Sequence, residues 1–179
     1  DSNNWTAFEE RTGKERSGEA CDHWNLWRDD FKLLSDIGVN SYRFSIEWSR
    51  LEPSPGEWNE EAMNTYSDMV DDLLERGIRP MPTLHHFSHP SWWEEKGGFT
   101  DEENLVDFLS YSERVFDALS DRVEVWCTIN EPTVFSAMGY TLGQFPPGRR
   151  SIFLTLRVMK NMMRAHSMVY KRLKERSPE

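Results

Sequence analysis

The stretch VWCTINEPTVF, residues 125–135, reads as a short apolar strand that stops abruptly at Asn130-Glu131-Pro132. Polar side chains are left at the strand's C-terminal end. The same arrangement occurs twice upstream. VNSYRFSIEW (39–48) is rich in strand formers and ends at Glu47. IRPMPTLHHF (78–87) carries a pair of histidines, His85 and His86, just before its last residue, although Pro80 and Pro82 weaken its strand signal.

Helical patterns separate these strands. CDHWNLWRDDFKLLSDIG (21–38) spaces Trp24, Trp27, Phe31 and Leu34 by three and four residues, one apolar face closed by Gly38. NEEAMNTYSDMVDDLLERG (59–77) has Asn59 as a candidate N-cap and Gly77 at its end. TDEENLVDFLSYSERVFDAL (100–119) sets Thr100 and Glu103 at capping-box spacing and buries Leu105, Phe108, Leu109, Val115 and Phe116. RVEVWCTI (122–129) is the third strand, and residues 151–176 form a long last helix.

Helices alternating with strands that begin near residues 39, 78 and 123 predict an α/β fold with parallel strands. An open doubly wound sheet and a closed (β/α)8 TIM barrel both fit. No Gly-rich phosphate loop follows any strand, and no cofactor is expected. Polar and aromatic residues gather instead at the C-terminal strand ends, where barrel enzymes keep their sites. A whole barrel takes about 250 residues. The 179 residues are therefore expected to be a single segment, 1–179, of a partial TIM barrel.

Composition narrows the partners. With 31 acidic against 21 basic residues the net charge is −10, which argues against nucleic acid and against an anionic membrane surface. No run of about 18 apolar residues is present to span a membrane, and no signal peptide is visible, so a cytoplasmic location is expected. Cys21 and Cys127 have no metal-type spacing and read as two reduced thiols, Cys127 being buried in its strand. Aromatics reach 13%, a surplus that serves cores first and sugar-binding clefts second.

Alternation puts Arg43, Ser45 and Glu47 on one strand face and Tyr42, Phe44 and Ile46 on the other. In a barrel the polar set points inward. An inward Arg43 beside Glu47 is either a structural ion pair or a group that orients a catalytic carboxylate. His85, His86 and His89 invite a metal reading, but His85 and His86 face opposite sides of a regular strand. No metal is expected, and one inward histidine bonded to a hydroxyl-rich substrate is favoured. Glu131, walled by Trp126, Phe135 and Tyr140, is expected to be partly desolvated, which raises a carboxyl pKa and suits a general acid. The plainer readings are a solvated loop Glu or a cap on a helix starting at Pro132.

Three segments together carry a resemblance. TINEP (128–132), YRFSIEWSRLEPSPG (42–56) and TLHHFSHPSWWEEKGGF (83–99), in this order and spacing, are similar to the N-terminal half of glycoside hydrolase family 1, the β-glucosidase and β-galactosidase family. SGEACDHWNLWRDDFKLLSDIGVNSYRFS (17–45) agrees as well. The resemblance implies roughly strands 2 to 4 of a (β/α)8 barrel with their helices. It implies hydrolysis of a β-linked glucoside or galactoside with retention of configuration. Glu131 would be the general acid/base, Asn130 would bind the sugar 2-hydroxyl, and His86 would contact further sugar hydroxyls. Arg43 would help keep the nucleophilic carboxylate ionised.

The family's frequent Tyr-His-Trp-Asp stands here as His85-His86-Phe87-Ser88. Phe87 keeps an apolar wall but lacks an indole N–H donor. The resemblance places the first barrel strand ahead of Asp1 and the nucleophilic Glu, in a Glu-Asn-Gly motif, beyond Glu179. No Glu-Asn-Gly occurs here, and Glu47 is the one other inward carboxylate to nominate. The other barrel part, or a second copy of the chain, is the expected protein partner. The alternative expectation is a non-catalytic carbohydrate-binding or structural fragment.

Overall fold

The computed structural model describes residues 2–177. Three parallel strands, β1 (Ser41–Ser45), β2 (Arg79–His85) and β3 (Cys127–Ile129), form one sheet in the order β1-β2-β3. Ser41 to Ser45 pair in step with Arg79 to Thr83; Thr83 pairs with Cys127 and His85 with Ile129. The α/β expectation with a parallel sheet therefore holds.

The prolines of β2 fit for a simple reason. Arg79 N–H donates to Asn40 C=O and Ile46 N–H to Thr83 C=O, so odd-numbered residues of β2 bond to β1. Pro80 and Pro82 alternate away from β1 and precede the first β2–β3 pair at Thr83. Neither missing N–H is needed by a neighbour.

Helices precede and follow the strands. α1 (Asn4–Thr12) and α2 (His23–Asp36) come first, and α2 buries Trp27 and Phe31 with Trp24 and Leu34 half-buried beside them. The short α3 (Trp48–Leu51) leads to α4 (Glu60–Glu75), whose predicted cap is present: Asn59 Oδ1 accepts from Ala62 N–H at 3.0 Å. α5 (Ser91–Glu95) precedes α6 (Leu105–Leu119), which buries Leu105, Phe108, Val115 and Phe116 as expected and leaves Leu109 half-buried. The Thr100–Glu103 capping box is not formed. Thr100 Oγ1 donates instead to Gly97 C=O, and Asp101 accepts the Glu103 N–H. α7 (Pro132–Ser136) and α8 (Ile152–Arg176) follow, with a π-helical turn at Ala137–Thr141 between them.

β3 is shorter than the predicted 122–129. Val123 N–H still donates to Leu119 C=O, and Arg122 is pulled toward α4 by Asp71 at 2.6 Å and Ser67 at 3.0 Å. These bonds hold residues 122–126 off the sheet. Cys127 is half-buried rather than buried, and Cys21 is exposed; neither is in a disulfide. No helix among the described residues is long and apolar enough to cross a membrane.

The core lies between the sheet and α4, α6 and α8. Trp48 stacks on Tyr111 at 4.8 Å, and Phe44, Leu84, Phe108, Val115 and Phe135 fill the same layer. The opposite sheet face carries the exposed Arg43 and Ser45. That face receives the site.

Candidate active site

The C-terminal ends of the three strands bring four predicted residues together. Arg43 leaves β1 and donates from Nη1 to Asn130 Oδ1 at 2.8 Å, across β2. Of the two readings for Arg43 beside Glu47, the structural ion pair is not among the contacts of Arg43 with the described residues. Asn130 follows β3, is 7% exposed, and donates its N–H to His85 C=O at 2.9 Å. Arginine has donors only, so the oxygen of the Asn130 amide must face it. The amide NH2 of Asn130 is then the group left to meet a ligand hydroxyl.

His86 completes the group because β2 slips its pleat by one residue. In an unbroken strand, residues two apart offer their carbonyls to the same neighbour. Here Thr83 C=O accepts from Ile46 beside β1, whereas His85 C=O accepts from Asn130 beside β3. The Leu84 carbonyl between them is taken by the buried Tyr111 hydroxyl at 3.0 Å, which also lies 3.2 Å from Ile46 C=O. Strict alternation from Ser45 and Thr83 would turn His85 to the open face. The slip turns His86 there, with Nδ1 3.1 Å from Ser45 Oγ. Burial and then the Arg43 charge hold His86 below the ordinary imidazole value, against the pull of Glu131. His86 therefore stays neutral near pH 7 and can accept or donate a hydrogen bond.

His85 goes the other way. It is 1% exposed and packs edge-on against Phe99 and Phe135. Its Nε2 lies 3.2 Å from His89 Nδ1, and His89 Nε2 lies 2.7 Å from Glu94 Oε2. Burial, then the neighbouring His89, push the His85 value well down. The three histidines thus split between two environments, and no group of three potential ligands is arranged for a metal ion among the described residues.

Glu131 sits at the N-terminus of α7 with φ 42° and ψ 61°. This left-handed conformation costs a non-glycine residue on the order of 1–3 kcal/mol. Its C=O accepts from Phe135 N–H at 3.0 Å, but its carboxylate makes no capping bond. The cap reading fails, and the acid group is left exposed. The expected aromatic wall is absent. Trp126 packs on Phe116 and bonds Val123 C=O, while Phe135 and Tyr140 are buried in the layer beneath. Glu131 itself is exposed, so these three rings do not enclose it.

Glu47 is ruled out as a free carboxylate. One oxygen accepts from Ser49 Oγ and the other from Ser88 Oγ, each at 2.7 Å. It caps α3 and ties β1 to the turn after His86. Ser88 and Tyr111 were not legible as site-supporting residues, because their partners, Glu47 and Leu84, lie tens of positions away in sequence.

The model of glycosyl hydrolase family 1 matches residues 1–179. The chain belongs to glycosyl hydrolase family 1. Among family 1 relatives, it is 36% identical over 176 residues to beta-glucosidase A of Thermotoga maritima, covering 96% of this chain and 40% of that protein. It is 42% identical over 142 residues to human cytosolic beta-glucosidase, covering 78% and 30%. Among solved structures, a beta-glycosidase from Pyrococcus horikoshii superposes with a TM-score of 0.92 at 45% identity, over 97% of this chain and 41% of that one. A beta-glucosidase from Exiguobacterium marinum gives a TM-score of 0.96 at 33% identity, over 100% and 41%. The chain thus spans about 40% of the length of these two solved family 1 structures.

Proposed function

We propose that this chain is one segment of a (β/α)8 barrel, roughly its strands 2 to 4, and carries the acid/base side of a retaining β-glycosidase site. The single observation behind the reading is the Arg43–Asn130 bond beside an uncapped Glu131. It fixes an amide donor next to a free acid at a strand end.

In this reading a β-linked glucoside or galactoside lies on the open face. Asn130 donates from its amide to the sugar 2-hydroxyl, a bond that strengthens as oxocarbenium character develops. Neutral His86 bonds another sugar hydroxyl. Glu131 gives its proton to the leaving oxygen, then takes one from the water that attacks the glycosyl intermediate. A second carboxyl about 5–5.5 Å away must form that intermediate. Glu47 is committed to Ser49 and Ser88, so the reading takes this group from another part of the barrel, with Arg43 beside it. No cofactor enters the scheme.

Glu131→Gln in the full-length protein tests the assignment. Hydrolysis of a β-glucoside with a poor leaving group should fall by about 10²–10⁴-fold. The first step on an activated aryl glucoside should fall far less, because that leaving group needs little protonation. Equal turnover of both substrates by variant and parent would refute the role. The second reading, a binding-only segment, is favoured by the occupied Glu47. Aryl β-glucoside turnover by the 179-residue chain alone would exclude it.

A further inference from the structure

The turn after His86 is held from outside the sheet. Phe87 has φ 73°, a left-handed conformation that an aromatic residue adopts only under constraint. Its carbonyl accepts two bonds from α1, from Asn4 Nδ2 at 3.1 Å and from Trp5 Nε1 at 3.0 Å. Asn4 also grips the far side of the turn. Its Oδ1 accepts from His89 N–H at 3.0 Å, and its own N–H donates to His89 C=O at 3.0 Å. The Asn4 side chain is buried, so no water can replace these partners without opening the turn. Asn3 extends the contact as a bridge to Pro90.

The same helix, with Lys14 just past its C-terminal end, reaches the loop that follows Glu131 and α7. Arg11 donates to Pro147 C=O at 2.8 Å, Lys14 to Gln144 C=O at 3.0 Å, and Trp5 packs on Phe145 at 5.0 Å. α1 thus ties the loop bearing His86 to the segment following Glu131, although none of its residues belongs to the strand ends.

We propose that Asn4 is a positioning residue for His86: its amide locks the Phe87 turn and thereby sets where the imidazole meets the sugar. This rests on the reading of His86 as a sugar contact. Asn4 itself touches no reacting atom.

A double-mutant cycle in the full-length protein tests it. Asn4→Ala should lower kcat/KM on an aryl β-glucoside by about tenfold, the scale expected when a binding group is displaced by less than an ångström. In a His86→Ala background the same change should cost less than about twofold, because the group being positioned is gone. Thr12→Val, which removes an internal bond of α1 from Thr12 Oγ1 to Phe8 C=O, should leave kcat/KM unchanged. A purely structural Asn4 would lower the melting temperature and give equal losses in both backgrounds; that result, or an unchanged kcat/KM in Asn4→Ala, overturns the proposal. If Asn4→Ala does not fold, Trp5→Phe removes one of the two Phe87 donors and should show the same non-additive pattern at smaller size; additivity there also overturns it. Unchanged kcat/KM in His86→Ala overturns the sugar-contact reading and this inference with it, whereas a loss there beside an unaffected Asn4→Ala overturns this inference alone.

Discussion

At the scale of single residues, the adjacent histidines are the sharpest contrast in the molecule. His86 faces the open side with Ser45, and His85 is sealed among Phe99, Phe108 and Phe135. Sealing has a thermodynamic consequence. The folded value of His85 is depressed below the ordinary 6.5, so the unfolded chain binds the proton more readily. Stability from this group is complete above about pH 6.5 and is lost as pH falls below it toward the folded value. Thermal or urea unfolding followed from pH 7.5 to 5 should show stability falling, with a limiting slope of about 1.4 kcal/mol per pH unit from one proton. His85→Phe should flatten that slope, since phenylalanine suits the ring cluster and cannot titrate. An unchanged slope would assign the acid sensitivity to another group. The tetrad Arg43, His86, Asn130 and Glu131 was readable from motif resemblance, but the choice of His86 over His85 was not readable from alternation. The Leu84 carbonyl at the slip is bonded by Tyr111, which lies on α6 and is remote in sequence from β2.

At the scale of elements, the chain's pattern matches its structure where the pattern is local. The apolar spacing of α2 and the Asn59 cap of α4 depend on residues within a few positions of each other. Pattern and structure part where a distant partner competes. The length of β3 was set by Arg122 reaching Asp71 on α4, and the Thr100 cap was displaced by a turn that starts at Gly97. The π-helical turn after α7 offers a test at this scale. A methyl group on Gly139 would lie 2.5 Å from the Pro146 carbonyl oxygen, and Arg149 N–H also bonds Gly139 C=O at 2.9 Å. Backbone on both sides leaves little room to yield. Gly139→Ala should destabilise the fold by about 1–3 kcal/mol, read from the urea midpoint. A midpoint equal to the parent's would mean that the loop at residues 144–149 is not held against this turn in solution.

At the scale of the whole molecule, the described residues leave apolar surface uncovered. Phe153 is 82% exposed, and Ile152, Leu156, Met163 and Tyr170 lie exposed along α8 with it. β1 and β3 are both edges of the sheet. Such surface binds apolar dyes and invites edge pairing. Residues 1–179 produced alone should bind an apolar fluorescent dye and associate with rising concentration. The net charge of −10 should oppose this at low ionic strength, and salt should promote it by screening. Sedimentation showing a dye-silent monomer at both low and high salt would show that α8 and the edges are covered within these residues.

The sequence alone determined the alternation of helices and parallel strands, the acidic surface, and the family motifs at three strand ends. Each is written in residues a few positions apart, as periodicity, caps or contiguous motifs. Tertiary structure decided which histidine faces the site, that Glu47 is a structural cap, that Glu131 makes no cap, and how far β3 extends. Those outcomes rest on single hydrogen bonds between residues tens of positions apart, such as Tyr111 with Leu84 and Ser88 with Glu47. A pairing of that kind leaves no periodic trace in the chain, and only folding brings the two groups within bonding distance.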